Sequence, residues 1–437
     1  MENNTLCNRH SLGVNNHTKM YVTYTRIYGW SDYGGESSYQ PGYRLENMMW
    51  MTLLVYDYII PGDKAVYWLY GAYIVSIIVI LLIELTKKNG ISENGITKRQ
   101  YYNPVLAFIY MCPLAYVAAC RYRFWDTDDY RVMYEAVGKS FDNVFNNVTG
   151  HVEKGYLLFT ALLNKISHNS QFLIIVSSIF ILFLACFFLY KESTDLPLSF
   201  LIFSSQVWMA TMNGLRQYMA AVILWLVWRK WARGIQCKKN DLLFILSILL
   251  MASFHKSVLI CIPLFFCARG KLGNKKVTAC IIAAVVMIVI SPIYNFIFSF
   301  LLGGTEYANY VDTSAAMGGA RFIVCCVPVV LIGIYHWLYL RNEGNRENKM
   351  IWMMNLSCLN FACNILALKM VYFARLGIYL AIFDLIVIPY CIDRCFTENS
   401  RKLIKVLLLI FYTFFFYKQL LAYGGFATNF KLFYEVK

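Results

Sequence analysis

Two unbroken apolar stretches restrict this chain more than any other feature: QFLIIVSSIFILFLACFFLY, from Gln171, and VTACIIAAVVMIVISPIYNFIF, from Val277. Each reaches the roughly 18–20 residues needed to carry a helix through a hydrocarbon layer. In that layer no water satisfies backbone polar groups, so the chain must cross as helices or as a closed barrel. Runs this long, with no two-residue alternation, select helices. The whole sequence agrees: 437 residues, 59% hydrophobic and 17% aromatic, with a mean hydropathy of +0.50. It reads as an all-α, multi-pass membrane protein.

Apolar segments fall at approximately 66–85, 104–120, 171–190, 196–211, 215–228, 241–254, 257–268, 277–300, 322–340, 351–368, 372–390 and 406–424. That is about twelve spans, four of them short, within a transmembrane region at 49–424. A polar tail at 1–48 precedes it and a second, at 425–437, follows; an outer loop occupies 121–170. The opening residues lack the apolar core of a signal peptide. Lys and Arg crowd alternate connections (Lys87 to Arg99, Arg229 to Lys239, Arg269 to Lys276, Arg394 to Lys405), which places those connections in the cytoplasm. The same rule resolves DLLFILSILLMASFHKSVLICIPLFFC, from Asp241. Two short helices turning at His255-Lys256 keep the basic run after it inside, whereas one long span would not. SQVWMATMNGLRQYMAAVILWLVWRK, from Ser205, has the same form, turning at Asn213-Gly214 where glycine permits a sharp bend.

The net charge of +15 would suggest nucleic acid in a soluble chain. Here it reflects cytoplasmic loops, and no nucleic-acid partner is expected. Fourteen cysteines include no CxxC pair, so they read as small packing residues rather than as ligands or a disulfide framework.

The cations left on the outer side then stand out: Arg121 and Arg123 after the second span, Arg216 and Lys256 at two successive hairpin tips, and Arg321 and Arg375 opening later spans. A cation near a helix end often snorkels to lipid headgroups. Arg216 fits that reading least, because it follows a helix break beside Asn213 and Gln217. A guanidinium in a partly dry site binds phosphate through two parallel hydrogen bonds and keeps its charge. The phosphate available at the outer face of a bacterial membrane is the diphosphate of a polyprenyl-linked sugar. His255 reads as a base, a hydrogen-bond donor or a turn residue. The outer loop carries Asp126, Asp128 and Glu153 among aromatic residues, a composition suited to sugar hydroxyls and proton transfer. It also fits a solvated loop with two amphipathic helices on the surface. Asp126-Thr127-Asp128-Asp129 has the makings of a cation loop, but no metal or other cofactor is expected.

In order, these pieces resemble the EpsG-type, Wzy-like family of polysaccharide polymerases. The matching elements are Arg121 and Arg123 with Thr127-Asp128 and Tyr130; Glu153-Lys154-Gly155-Tyr156; Asn213, Arg216-Gln217 and Ala220; Phe254-His255-Lys256-Ser257; and Arg375 with Tyr379, ahead of Pro389. The family often has Gly before Thr-Asp, where this chain has Asp126. The resemblance implies a glycosyltransferase that joins oligosaccharide repeat units on undecaprenyl diphosphate or a similar carrier at the outer face of the bacterial cytoplasmic membrane. Its product would be an exopolysaccharide, capsule or O-antigen, and direct displacement would invert the anomeric centre. Within that reading Arg216, Lys256, Arg321 and Arg375 hold the diphosphate, and His255, Asp126 or Asp128 accepts the proton. Arg121, Arg123, Asn213, Gln217, Glu153 and Tyr379 contact the sugar. The expected partners are the lipid-linked oligosaccharide, membrane lipid and a chain-length regulator protein. A flippase or transporter of the same lipid, and a membrane-bound O-acyltransferase, are the competing readings.

Overall fold

The computed structural model describes residues 64–91, 98–121, 124–138, 144, 152–232, 238–290, 318–340, 348–370 and 372–424. The expected tails at 1–48 and 425–437, and Arg123, lie outside them. Each apolar segment read from the sequence falls on a helix as far as it is described. In chain order these are α1 (Lys64–Leu85) and α2 (Pro104–Cys120); then two shorter helices in the expected outer loop, α3 (Thr127–Val137) and α4 (Lys154–Ile166); then α5 (Gln171–Glu192), α6 (Leu196–Thr211), α7 (Leu215–Trp231) and α8 (Lys238–Met251). They continue with α9 (Lys256–Ala268), α10 (Lys275–Val289), α11 (Gly319–Tyr339), α12 (Lys349–Ala367), α13 (Tyr372–Gly377), α14 (Ala381–Cys395) and α15 (Glu398–Gly424).

Length and composition alone qualify five helices to cross a bilayer: Tyr67–Leu85, Gln171–Glu192, Gly319–Tyr339, Lys349–Ala367 and Glu398–Leu421. Twelve crossings therefore exceed what those two criteria establish. Two further features depart from expectation. The connection between α1 and α2 forms an antiparallel hairpin, β1 (Lys88–Ile91) with β2 (Lys98–Tyr101), so the fold is helical with one small β element. The segment expected as a single span at 372–390 breaks between α13 and α14, and the break brings Arg375 and Tyr379 to a helix end.

The packing sorts the helix ends into two groups. At one end Glu192 pairs with both Arg229 and Lys349, Asp195 pairs with Lys405, and Asp241 pairs with Arg269. These are residues the charge pattern assigns to the cytoplasm. A polar cavity of about 1170 Å³ opens there among the ends of α1, α5, α14 and α15. Midway, Trp208, Trp225, Trp228 and Trp352 are wholly buried. Trp228 meets Phe383 edge-on at 4.7 Å, and most of the indole N–H groups find a carbonyl, such as Trp225 on Tyr379 O at 2.9 Å. At the opposite end lie the tips of the short hairpins. α8 has 14 residues, about 21 Å at 1.5 Å per residue, against a hydrocarbon thickness of about 30 Å. A helix that short, anchored at the ion-paired end, stops below the far surface, and polar groups at its tip need protein partners.

Candidate active site

Three local backbone choices build the tips. Gly214 has φ 71° and ψ 46°, the left-handed conformation, and a Cβ there would touch nothing. Conformation alone therefore requires glycine, and the turn starts α7 two residues before Arg216. At the neighbouring tip α8 ends at Met251, His255 is extended (φ −160°, ψ 113°), and α9 begins at Lys256. The start of α4 docks on this second tip: Tyr156 N–H donates to Ser253 O at 3.2 Å. A Cβ on Gly155 would stand 2.2 Å from Ser253 Oγ and 2.8 Å from its backbone oxygen. Only glycine allows that approach. The expected Glu-x-Gly-Tyr element is thus a docking joint that delivers Glu153 between the tips.

Glu153 is the hub. Its carboxylate pairs with Arg216 of the first tip, accepts the Lys256 backbone N–H at 2.9 Å, and lies 3.4 Å from His255 Nδ1. The side chain is only 8% exposed. Burial raises the pKa of this carboxyl, but His255, the Lys256 amide and Arg216 together hold it at about 2. His255 Nδ1 has no hydrogen-bond partner although it is buried, because the 3.4 Å contact is poorly aligned for one. Tyr130 stands close enough to Arg216 to favour its charge, and the guanidinium carbon lies 5.9 Å from the centre of the Tyr156 ring.

The acidic loop approaches from α3. Trp125 adopts a left-handed φ of 48°, uncommon for an aromatic residue and a form of strain found at functional turns. The turn sets Asp126 in the field of Arg375 and Arg216. Burial pushes the Asp126 carboxyl above the ordinary carboxylate range, with Asp129 adding to the shift and the two guanidinium groups opposing it.

The other expected residues divide into three groups. Gln217 and Tyr379 are buried and brace the tips from beneath: Gln217 Nε2 donates to Arg375 O at 2.6 Å, and the Tyr379 hydroxyl meets Ser257 Oγ at 2.8 Å. Arg121 is wholly buried; it bonds Thr127 Oγ1 at 3.2 Å and Ser178 Oγ at 2.7 Å, tying α2, α3 and α5 together. The Lys256 side chain is exposed at the rim, Asp128 sits in the first turn of α3, and Asn213 Oδ1 is buried at the first tip without a hydrogen bond. Arg321 opens α11 and is half-buried. Tyr130, Tyr156 and Ser257 belong to the site without having been singled out. Their signal was present, since all three sit inside the quoted motifs.

Stretches at residues 126–130, 153–156, 213–217, 253–257 and 375–379 therefore meet at one end of the bundle. The model of the EpsG family matches residues 105–434, which include all of these stretches. Comparison with curated proteins and with solved structures returns no match.

Proposed function

The chain belongs to the EpsG family, and from that premise we propose that it polymerises polyprenyl-diphosphate-linked oligosaccharide repeat units into a surface polysaccharide, by glycosyl transfer at the outer face of the bacterial cytoplasmic membrane. One observation carries this reading: Arg216, a charge recessed at a hairpin tip, is gathered with a buried carboxylate, a histidine and a second arginine field. A glycosyl diphosphate already holds a good leaving group, so the protein's main task is electrostatic. Preorganised cations must take up the charge that develops on the departing diphosphate where water screens them poorly. Arg216 and Arg375 fill that role, with Lys256 at the rim. His255, Asp126 or Asp128 accepts the proton of the acceptor hydroxyl, and a single displacement inverts the anomeric carbon. The reaction as drawn uses no metal. Trp125, exposed beside the acidic loop, offers a face on which a sugar ring stacks.

Replacing Arg216 with alanine tests the proposal. The expected result is loss of long-chain polymer by at least 100-fold, the order seen when one charge-stabilising donor is removed, with single repeat units accumulating on their lipid carrier. Full-length polymer from this variant would remove Arg216 from its role. Purified wild-type protein with a lipid-diphosphate oligosaccharide should yield a ladder of products, and a transport-only protein would yield none.

A further inference from the structure

The polymerase reading leaves the base open among three side chains, and the geometry around Glu153 separates them. Asp126 lies in the field of both guanidinium groups assigned to the diphosphate, so its carboxylate is placed to balance those cations. Asp128 is held in the first turn of α3. His255 has a different environment. Its Nδ1 is buried and lies 3.4 Å from Glu153 Oε1, while the side chain as a whole is 23% exposed. Buried Nδ1 supplies almost none of that exposure, so it falls on the rest of the side chain, and Nε2 is not among the buried atoms left without a partner. A histidine with one nitrogen on an ionised carboxylate and the other open is the arrangement in which Nδ1 keeps its hydrogen and Nε2 presents a lone pair.

Resting on the polymerase reading, we infer that His255 is the general base and that Glu153 is the positioning carboxylate that orients its ring. Glu153 divides its charge between Arg216 and the second tip. When a diphosphate engages Arg216, the carboxylate is freed for His255, and the 3.4 Å contact closes to a hydrogen bond. The acceptor hydroxyl then gives its proton to Nε2 while its oxygen forms the new bond to the anomeric carbon. The bond from that carbon to the diphosphate oxygen breaks, and its electron pair leaves on the lipid diphosphate held by Arg216 and Arg375. Glu153 stays ionised and balances the imidazolium, which later returns its proton to water. Glu153 is suited to this because the Lys256 N–H fixes it independently of both partners.

The test uses purified full-length protein in liposomes with a lipid-diphosphate oligosaccharide, following polymer formation and, separately, binding of the lipid diphosphate. His255→Ala should lose at least 100-fold in kcat, keep lipid-diphosphate binding within about threefold, and regain part of its rate with added imidazole. Retained binding shows that the variant is folded, and His255→Gln supplies a second variant should alanine fail to bind. Glu153→Gln preserves shape and the Lys256 contact; it should lower kcat by 10-fold or more with KM for the donor changed less. A His255→Ala protein that polymerises within threefold of wild type overturns the assignment. So does a Glu153→Gln defect confined to donor KM, which would make Glu153 a partner of Arg216 alone. If the wild-type protein itself forms no ladder, the polymerase reading fails instead, so the two failures are distinguishable.

Discussion

Gly155 shows how a residue with no side chain governs the site. It lets the start of α4 lie against Ser253, and through that contact it fixes where the Glu153 carboxylate sits between Arg216 and His255. Gly155→Ala would place a methyl group inside the radius of Ser253 Oγ, Cβ and backbone oxygen at once. Rotating the serine relieves only part of this, since the backbone oxygen cannot turn away. Overpacking of this kind costs about 1–3 kcal/mol. The expected outcome is a lower Tm in detergent together with a loss of polymer out of proportion to the loss of folded protein. A variant that kept full activity at a reduced Tm would show that Glu153 holds its place without the joint.

At the scale of elements, the corner between α13 and α14 carries Arg375 and Tyr379 and rests on a buried polar network. Asp384 of α14 accepts from Ser357 and, at 2.7 Å, from Asn360 Nδ2, both on α12. Asn364 Nδ2 then bonds Asn360 Oδ1 at 3.2 Å, and a Cβ on Gly377 would stand 2.6 Å from that same oxygen. Asp384→Ala orphans two buried groups, at about 1–3 kcal/mol each. Asp384→Asn, which keeps one acceptor, should cost clearly less, and thermal denaturation of the two variants orders them. Equal melting temperatures would show that the network does not hold the corner. This break was not legible in the sequence, where 372–390 reads as one apolar run: Gly377 is a single small residue, and the partner it needs lies on α12. The hairpin turns at Gly214 and His255 were legible because charge asymmetry and a local polar break coincide there. Arg121 was misjudged in surroundings for a related reason. Its neighbour Ser178 is 57 positions away, and nothing adjacent in the chain reveals that the guanidinium turns inward.

Across the whole molecule, ion pairs close one end and a partly charged recess occupies the other. The pairs join ends distant in sequence, Glu192 to Lys349 and Asp195 to Lys405, which supports the alternation read from the charge pattern and sets a test of orientation. In right-side-out vesicles a membrane-impermeant amine reagent should modify the exposed Lys256 and spare the exposed Lys402; inverted vesicles should give the reverse, read by mass spectrometry of the peptides. Modification of both from one side would discard the topology and, with it, the assignment of the recess to the outer face. The pairing of Arg216 with Glu153 also bears on how the protein rests between turnovers. A guanidinium already matched by an internal counter-charge exerts little pull on ambient anions. Stray inorganic phosphate or a free nucleotide would have to displace a tethered carboxylate with no greasy anchor to help it. On the proposed function, a carrier that is both multiply charged and dissolved in the bilayer would have that help, and the idle protein would stay quiet until cargo arrived from the membrane plane.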